Sequence, residues 1–280
     1  MTEFSGSVSL SPGQEKRTTT IKEFPLGTRA LLGERVFRYA RAGAGLTAGQ
    51  LCQHKALRLS AADSAMGVDT DVAVGGRTIV VNLPSTHDTL DADEFDDGVM
   101  YVVGSSDAPG LGQMYKILTH TATQTGVDTG GDMSFTLAYD DGVADTPLTS
   151  ASVVQVIENF YNRVVPTDID TVAQAPVGVA PVVVASESYF WLQTWGPCPV
   201  RSETGTRTPS LGAAVIWARS TSDFAGAVEL PQEFATALDV VDTVNASGRD
   251  YPHIGFAVGI ITGDTAGDDG TTIIWLMLAP

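Results

Sequence analysis

Tyr189-Phe190-Trp191-Leu192-Gln193-Thr194-Trp195-Gly196-Pro197-Cys198 is the densest aromatic run in the chain. With the two-residue period of a strand, Tyr189, Trp191, Gln193 and Trp195 point one way and Phe190, Leu192 and Thr194 the other. Both faces are mainly apolar, so such a strand belongs between two layers or beneath another chain. Gly196-Pro197 is expected to end it, because proline lacks a ladder donor and fixes φ. The stretch points to a β-rich body made to pack and assemble.

The same grammar of short strands and turns extends outward in both directions. Val36-Phe37-Arg38-Tyr39-Ala40 alternates as a strand, and Gln50 to Leu59 reads as another. Arg77 to Leu83, Val99 to Val103, Gln113 to Thr121 and Met133 to Tyr139 follow, broken by turns such as Asp96-Asp97-Gly98 and Asp140-Asp141-Gly142. After the aromatic run come Ala213 to Ala218, Ala227 to Leu230, Leu238 to Val244, Ile254 to Ile261 and the closing Thr272 to Leu278. So apolar a closing strand is expected to be locked into a sheet. One helix is expected near 151–161, where Ser150 or Ser152 can cap a segment with Val153, Val156, Ile157 and Phe160 on one face. No strand–helix alternation supports a parallel α/β sheet. The fold class is therefore all-β, in mainly antiparallel sandwich or barrel units, with one short helix and an extended N-terminal arm. Three regions are expected: a basic arm with the first strands at 1–60, a β-rich domain at 61–166, and a C-terminal β-rich domain at 167–280 that packs with the first strands. Residues 167–180 read as a linker or a long edge connection, and 1–23 as mobile unless bound.

Charge narrows the partners. The chain of 280 residues carries a net −17, which argues against nucleic acid. Residues 1–58 hold nine Lys or Arg against four acids, a net +5, while the remaining 222 hold −22. A basic arm on an acidic body is expected to meet an acidic surface, on another molecule or on its own body. At 43% hydrophobic content the chain is not disordered, and no apolar run approaches the roughly 20 residues that span a bilayer. No membrane partner is expected. Met1-Thr2-Glu3-Phe4-Ser5-Gly6 lacks the basic and apolar regions of a secretory signal. Cys52 and Cys198 are too few for a disulfide framework, and two buried thiols are preferred over a bridge between them.

Each chemical motif meets a stronger structural reading. Gly43-Ala44-Gly45-Leu46-Thr47-Ala48 matches the dinucleotide fingerprint formally, with Asp63 at ribose distance, but a strand-like run follows where a helix is needed. Trp195-Gly196-Pro197-Cys198 resembles half of a redox turn, with Trp195 where the first cysteine would stand. The acidic loop at 88–97 lacks the ligand and glycine spacing of a calcium loop and reads as solvated, and that at 264–269 reads as a hairpin turn in preference to a cation site. His54, His87, His120 and His253 stand apart, without metal-ligand spacing, and Gly-x-Ser-x-Gly is missing. No cofactor, metal or catalytic residue is expected.

Phe24-Pro25-Leu26-Gly27-Thr28-Arg29, Arg35 through Gly43 and Ala48 through Gln53 resemble the opening of a group of tailed-phage and related virus proteins, the capsid decoration or head-cement proteins. Gly178-Val179-Ala180, Tyr189 through Cys198, the small residues from Leu211 to Ser222, and Phe224 through Val228 resemble the same group. The resemblance implies a non-enzymatic virion protein on the outer capsid surface, commonly a homotrimer at local three-fold positions. Its N-terminal arm would grip the major capsid protein. Lys16, Arg17, Lys22, Phe24, Arg29, Arg35, Arg38 and Arg41 would then contact the capsid or a neighbour, and Tyr189, Trp191, Trp195 and Trp275 would form the core or the oligomer axis. A tail or fibre component binding host carbohydrate through exposed aromatics is the alternative, with a polysaccharide depolymerase third.

Overall fold

Alternating β-branched and aromatic residues make strands here, and clusters of Gly, Asp and Pro cut them short. The computed structural model describes residues 6–55, 65–83, 94–104, 107–121, 132–138, 141–167, 174–202, 211–217, 226–229, 253–261 and 270–280. Among these residues the sole helical element is a 3-10 turn at Gln14–Lys16. Five strands come first: β1 (Ser7–Ser9), β2 (Thr18–Thr19), β3 (Arg29–Leu32), β4 (Arg35–Arg41) and β5 (Leu51–Gln53). Six follow: β6 (Met66–Val68), β7 (Thr78–Asn82), β8 (Val99–Val103), β9 (Met114–His120), β10 (Asp132–Leu137) and β11 (Val153–Ile157). The last seven are β12 (Val165–Pro166), β13 (Pro176–Val179), β14 (Tyr189–Ser202), β15 (Ala214–Trp217), β16 (Val228–Glu229), β17 (Gly255–Ile261) and β18 (Gly270–Met277). They belong to two units, one spanning Ala56–Asn162 and the other combining Phe4–Lys55 with Arg163–Pro280.

The Ala56–Asn162 unit is a closed barrel in the order β10-β7-β6-β11-β8-β9, with antiparallel neighbours throughout. Alternate residues fill it: Ile79 and Val81 from β7, Tyr115 and Ile117 from β9, Met133, Phe135 and Leu137 from β10, Val154 and Val156 from β11. Burying each of these is worth about 1.5–3 kcal/mol before entropy is charged against it. Closure gives each of the six strands a paired neighbour on both sides. Phe95 enters the same core, and its N–H donates to His120 Nε2 at 2.9 Å. His120 Nδ1 is then the donor to the Thr121 carbonyl at 3.0 Å.

The helix expected near 151–161 is absent. Val153–Ile157 is strand β11, paired residue for residue with Val99–Val103, and its burial alternates strictly. Phe160, assigned to the buried helical face, is exposed. Five β-branched or polar residues with a good partner ladder prefer a strand, and the apparent helical spacing is a coincidence of a short run.

The second unit is organised around β14. Its sheet runs β1-β3-β4-β14-β16-β15-β17-β18, and β14 also pairs β18, so the last five strands return on themselves. The strand does not stop at Gly196-Pro197; it continues to Ser202. Its first half pairs antiparallel with β4 and its second half with β18, and the register shifts between Gln193 and Trp195 where the partner changes. Gly196 sits at this change with φ +87°, and a Cβ there would lie 2.8 Å from the Glu34 carbonyl. Proline is accepted for a geometric reason. Arg201 N–H bonds the Gly49 carbonyl at 2.8 Å, on the side away from β18. Pro197 and Pro199 share that parity, so their missing donors turn away from the β18 ladder.

The segment read as a linker contains β13, which pairs with β5 and β14. Residues 6–23 are also built into the sheet, through β1 parallel to β3 and β2 antiparallel to β14. Val182 to Val184 forms no strand; Val184 makes one bridge with Leu46. The strand expected over Leu238 to Val244 lies outside the described residues. Leu51, Val179, Cys198, Val200, Val215, Val228, Ile254, Ala257, Ile274 and Leu276 make the core of the strand ring.

Candidate functional site

The N-terminal segment lies on an aromatic cluster provided by β4 and β14. Tyr39 and Trp191 are cross-strand partners, with ring centroids 5.0 Å apart in an edge-on arrangement. Phe24 closes on both, at 5.4 Å from Tyr39 and 5.3 Å from Trp191. Tyr189 stacks on Tyr39 at 5.8 Å, and the Arg41 guanidinium lies 5.8 Å from the Tyr189 ring centre. Val8 and Leu10 of the N-terminal segment pack onto this group. A cavity of about 140 Å³ is lined by Phe24, Tyr39 and Trp191 together with Gln14, Arg17 and Glu23. The Tyr39 hydroxyl accepts the Glu23 N–H at 3.1 Å, and burial pushes the phenol up to about 12. Tyr39 is thereby a structural anchor that stays protonated at neutral pH.

The cations expected to face a partner divide into two sets. Four arginines bind their own chain. Arg29 donates to Ser7 Oγ at 2.8 Å, fastening β1 to β3. Arg35 pairs with the buried Glu15 at 3.6 Å, and Arg38 donates to the Gly27 carbonyl at 3.2 Å. Arg41 pairs with Glu187. Lys16 and Arg17 are exposed, Arg17 lying 3.6 Å from the exposed Glu23. Lys22 is half-buried. Glu15 and Glu187 were invisible as partners in the sequence, because they lie 20 and 146 residues from the arginines they meet. Of the four interface or core aromatics, Trp191 is buried, Tyr189 is half-buried in the cluster, and Trp195 and Trp275 are half-buried on the outer side of the strand ring.

The remaining chemical candidates take structural positions. Cys52 and Cys198 are free and buried, and burial pushes both thiols up to about 12. Gly43 to Ala48 is a turn leading into β5; Asp63 lies outside the described residues. His54 has the same arrangement as His120: Nε2 accepts the Ala175 N–H at 3.2 Å and Nδ1 meets the Lys55 carbonyl at 2.7 Å. Each of these imidazoles ties a backbone amide into the fold. Of the acidic loop at 88–97, the described end is packed. Glu94 and Asp97 are buried, and their carbonyls accept from Asn162 Nδ2 and Asn159 Nδ2, each at 2.9 Å. The loop at 264–269 lies outside the described residues. Among the described residues, no three His, Cys, Asp or Glu side chains gather to hold a metal ion, and no helix is long and apolar enough to cross a membrane. No family model, no curated protein and no solved structure matches this chain.

Proposed function

We propose that this protein is a non-enzymatic virion component that decorates and stabilises the outer surface of an icosahedral capsid. It acts as a homo-oligomer, a trimer, and its N-terminal arm grips the major capsid protein. The observation that supports this best is the placement of the basic arm. The segment is laid along the body as β1, the end strand of its sheet, with Lys16 and Arg17 exposed in the same stretch. An end strand offers unpaired N–H and C=O groups to a partner strand, and exposed cations steer it toward an acidic surface. Arg29, through Ser7, and Arg35, through Glu15, hold the arm to its own chain, so it is presented in a defined shape and pays little ordering entropy on contact. Each contact would be weak, and repetition over a lattice would supply the total.

The test is binding of purified protein to capsid shells assembled without it. Wild type is expected to saturate the shells, and the double variant Lys16→Glu, Arg17→Glu to lose at least about tenfold in affinity, with the loss growing at low salt. Charge reversal is a cleaner test than removing residues 1–23, because truncation also uncovers Tyr39 and Trp191. Full occupancy by the double variant would remove the arm from the contact. Failure of wild type to bind any shell would end the capsid reading.

A further inference from the structure

Strand β18 alternates between two environments, yet both are apolar. Thr272, Ile274 and Leu276 point into the core of the strand ring, while Ile273, Trp275 and Met277 point outward. The neighbouring strands repeat the pattern. Trp195, Pro197 and Pro199 of β14 lie outward beside β18 on one flank, and Phe256 and Val258 of β17 on the other. Register assembles them into rows: Trp195 faces Met277, Pro197 faces Trp275, and Trp275 faces Phe256. The Phe256 and Trp275 rings stack with centroids 6.5 Å apart and planes 8° from parallel. Phe256 and Val258 are each 38% exposed and Met277 is 46% exposed. An antiparallel strand facing water on one side carries polar residues there, whereas these three strands carry eight apolar ones, with the polar pair Arg201 and Thr271 only at one end of the rows. Patches of this kind mark a surface that something else covers.

We propose that the cover is a second copy of this chain, the apolar rows of each copy packing against those of its neighbours around the oligomer axis. Charge selects this occupant. The chain carries a net −17, and copies approaching through most of its surface repel one another. The eight residues hold no ionisable group, and Arg201 lies only at the border, where it pairs with Thr271, so the centre of this face meets its like without desolvating or opposing a charge. A partner chosen for opposite charge would instead dock on the acidic surface. A sugar would need hydrogen-bonding side chains beside the aromatic rings, and here Ile273, Val258, Met277 and the two prolines surround them. Trp, Phe and Met in a row, free of charges, have the composition of an interface centre. The inference rests on the homo-oligomer part of the proposed function and needs nothing from its capsid part.

Sedimentation velocity on the purified full chain, with no capsid present, separates the two. Wild type is expected to sediment as an oligomer, and the double variant Phe256→Glu, Met277→Glu as a monomer with an unchanged β-type circular dichroism spectrum. The self-dissociation constant should rise at least about 100-fold. If the charged variant fails to fold, Met277→Cys decides the matter. Its thiol is the accessible one, since Cys52 and Cys198 are buried, and a short bismaleimide should join copies through it. A wild type that stays monomeric up to roughly 100 µM overturns the proposal. So does an oligomer that the glutamates leave intact, or one in which Met277→Cys does not cross-link. A monomer that binds a neutral oligosaccharide with quenching of tryptophan fluorescence would assign the face to sugar instead.

Discussion

The Arg35 guanidinium lies 3.6 Å from the Glu15 carboxylate, joining strand β4 to the turn in the middle of the N-terminal segment. Glu15 is buried, and its other oxygen accepts the Gly13 N–H at 2.6 Å. This acid is therefore the clasp of the arm. Glu15→Ala is expected to cost about 1–3 kcal/mol, felt locally, because it leaves an amide and an arginine without their buried partner. Hydrogen exchange should show faster exchange at Ser7–Ser9 with the Ala56–Asn162 barrel unchanged. Unaltered protection of β1 would show that the clasp holds nothing.

Trp191 is the centre of the aromatic cluster, touching Tyr39 and Phe24 and only 5% exposed. Trp191→Ala removes the largest side chain of the group beside an existing cavity. A loss of about 3–5 kcal/mol is expected in denaturant unfolding. Unchanged stability would mean that the cluster is not the hinge of this unit.

Gly196 stands where β14 changes partners. Its φ of +87° disfavours any L side chain, and the Glu34 carbonyl leaves no room for a Cβ. Gly196→Ala should destabilise by about 1–3 kcal/mol, where an ordinary strand glycine gains from the same change. Thermal unfolding compared with Gly33→Ala, whose Cβ would meet open space, separates lack of room from backbone strain, since both glycines have positive φ.

The thiols make alkaline pH a probe. Cys52 and Cys198 are pushed from 9.0 to about 12 by burial, and Tyr39 from 10.0 to about 12. A group whose folded pKa is raised releases its proton first in the unfolded chain, so the unfolded state gains as pH climbs. Stability is expected to hold below about pH 9 and to fall progressively from there toward 12. Denaturant midpoints at a series of pH values check this. At pH 8 a thiol reagent should modify neither cysteine until the chain is unfolded; rapid reaction with the native protein would refute the burial argument.

Much of the fold was legible because most strands alternate. Ile79 and Val81, Met133 and Phe135, or Ile274 and Leu276 fall on one face by simple parity, and the turns between strands are rich in Gly and Asp. Three misreadings have physical causes. Val153–Ile157 is short enough to fit two periods, and only its ladder with β8 decides between them. Pro197 looked like a stop because the direction of its missing donor depends on which strand lies alongside. Residues 174–180 looked like a linker because Pro176 and Gly178 are poor strand formers, yet Gly178 is needed there: a Cβ would meet Leu192 at 2.5 Å. In the candidate site, the basic residues were visible as charge, but the engagement of Arg35 and Arg41 by Glu15 and Glu187 depends on contacts distant in sequence. The closing strand was legible as apolar, but the outer face that Trp195 shares with Met277 emerges only once β14 and β18 are paired, a contact distant in sequence.

Copy number and position of this protein on intact particles test the central claim most directly. Quantitative mass spectrometry with immunogold labelling should find on the order of hundreds of copies spread over the head, as repeated weak contacts require. A handful of copies confined to a tail tip, or none on the particle, would contradict it.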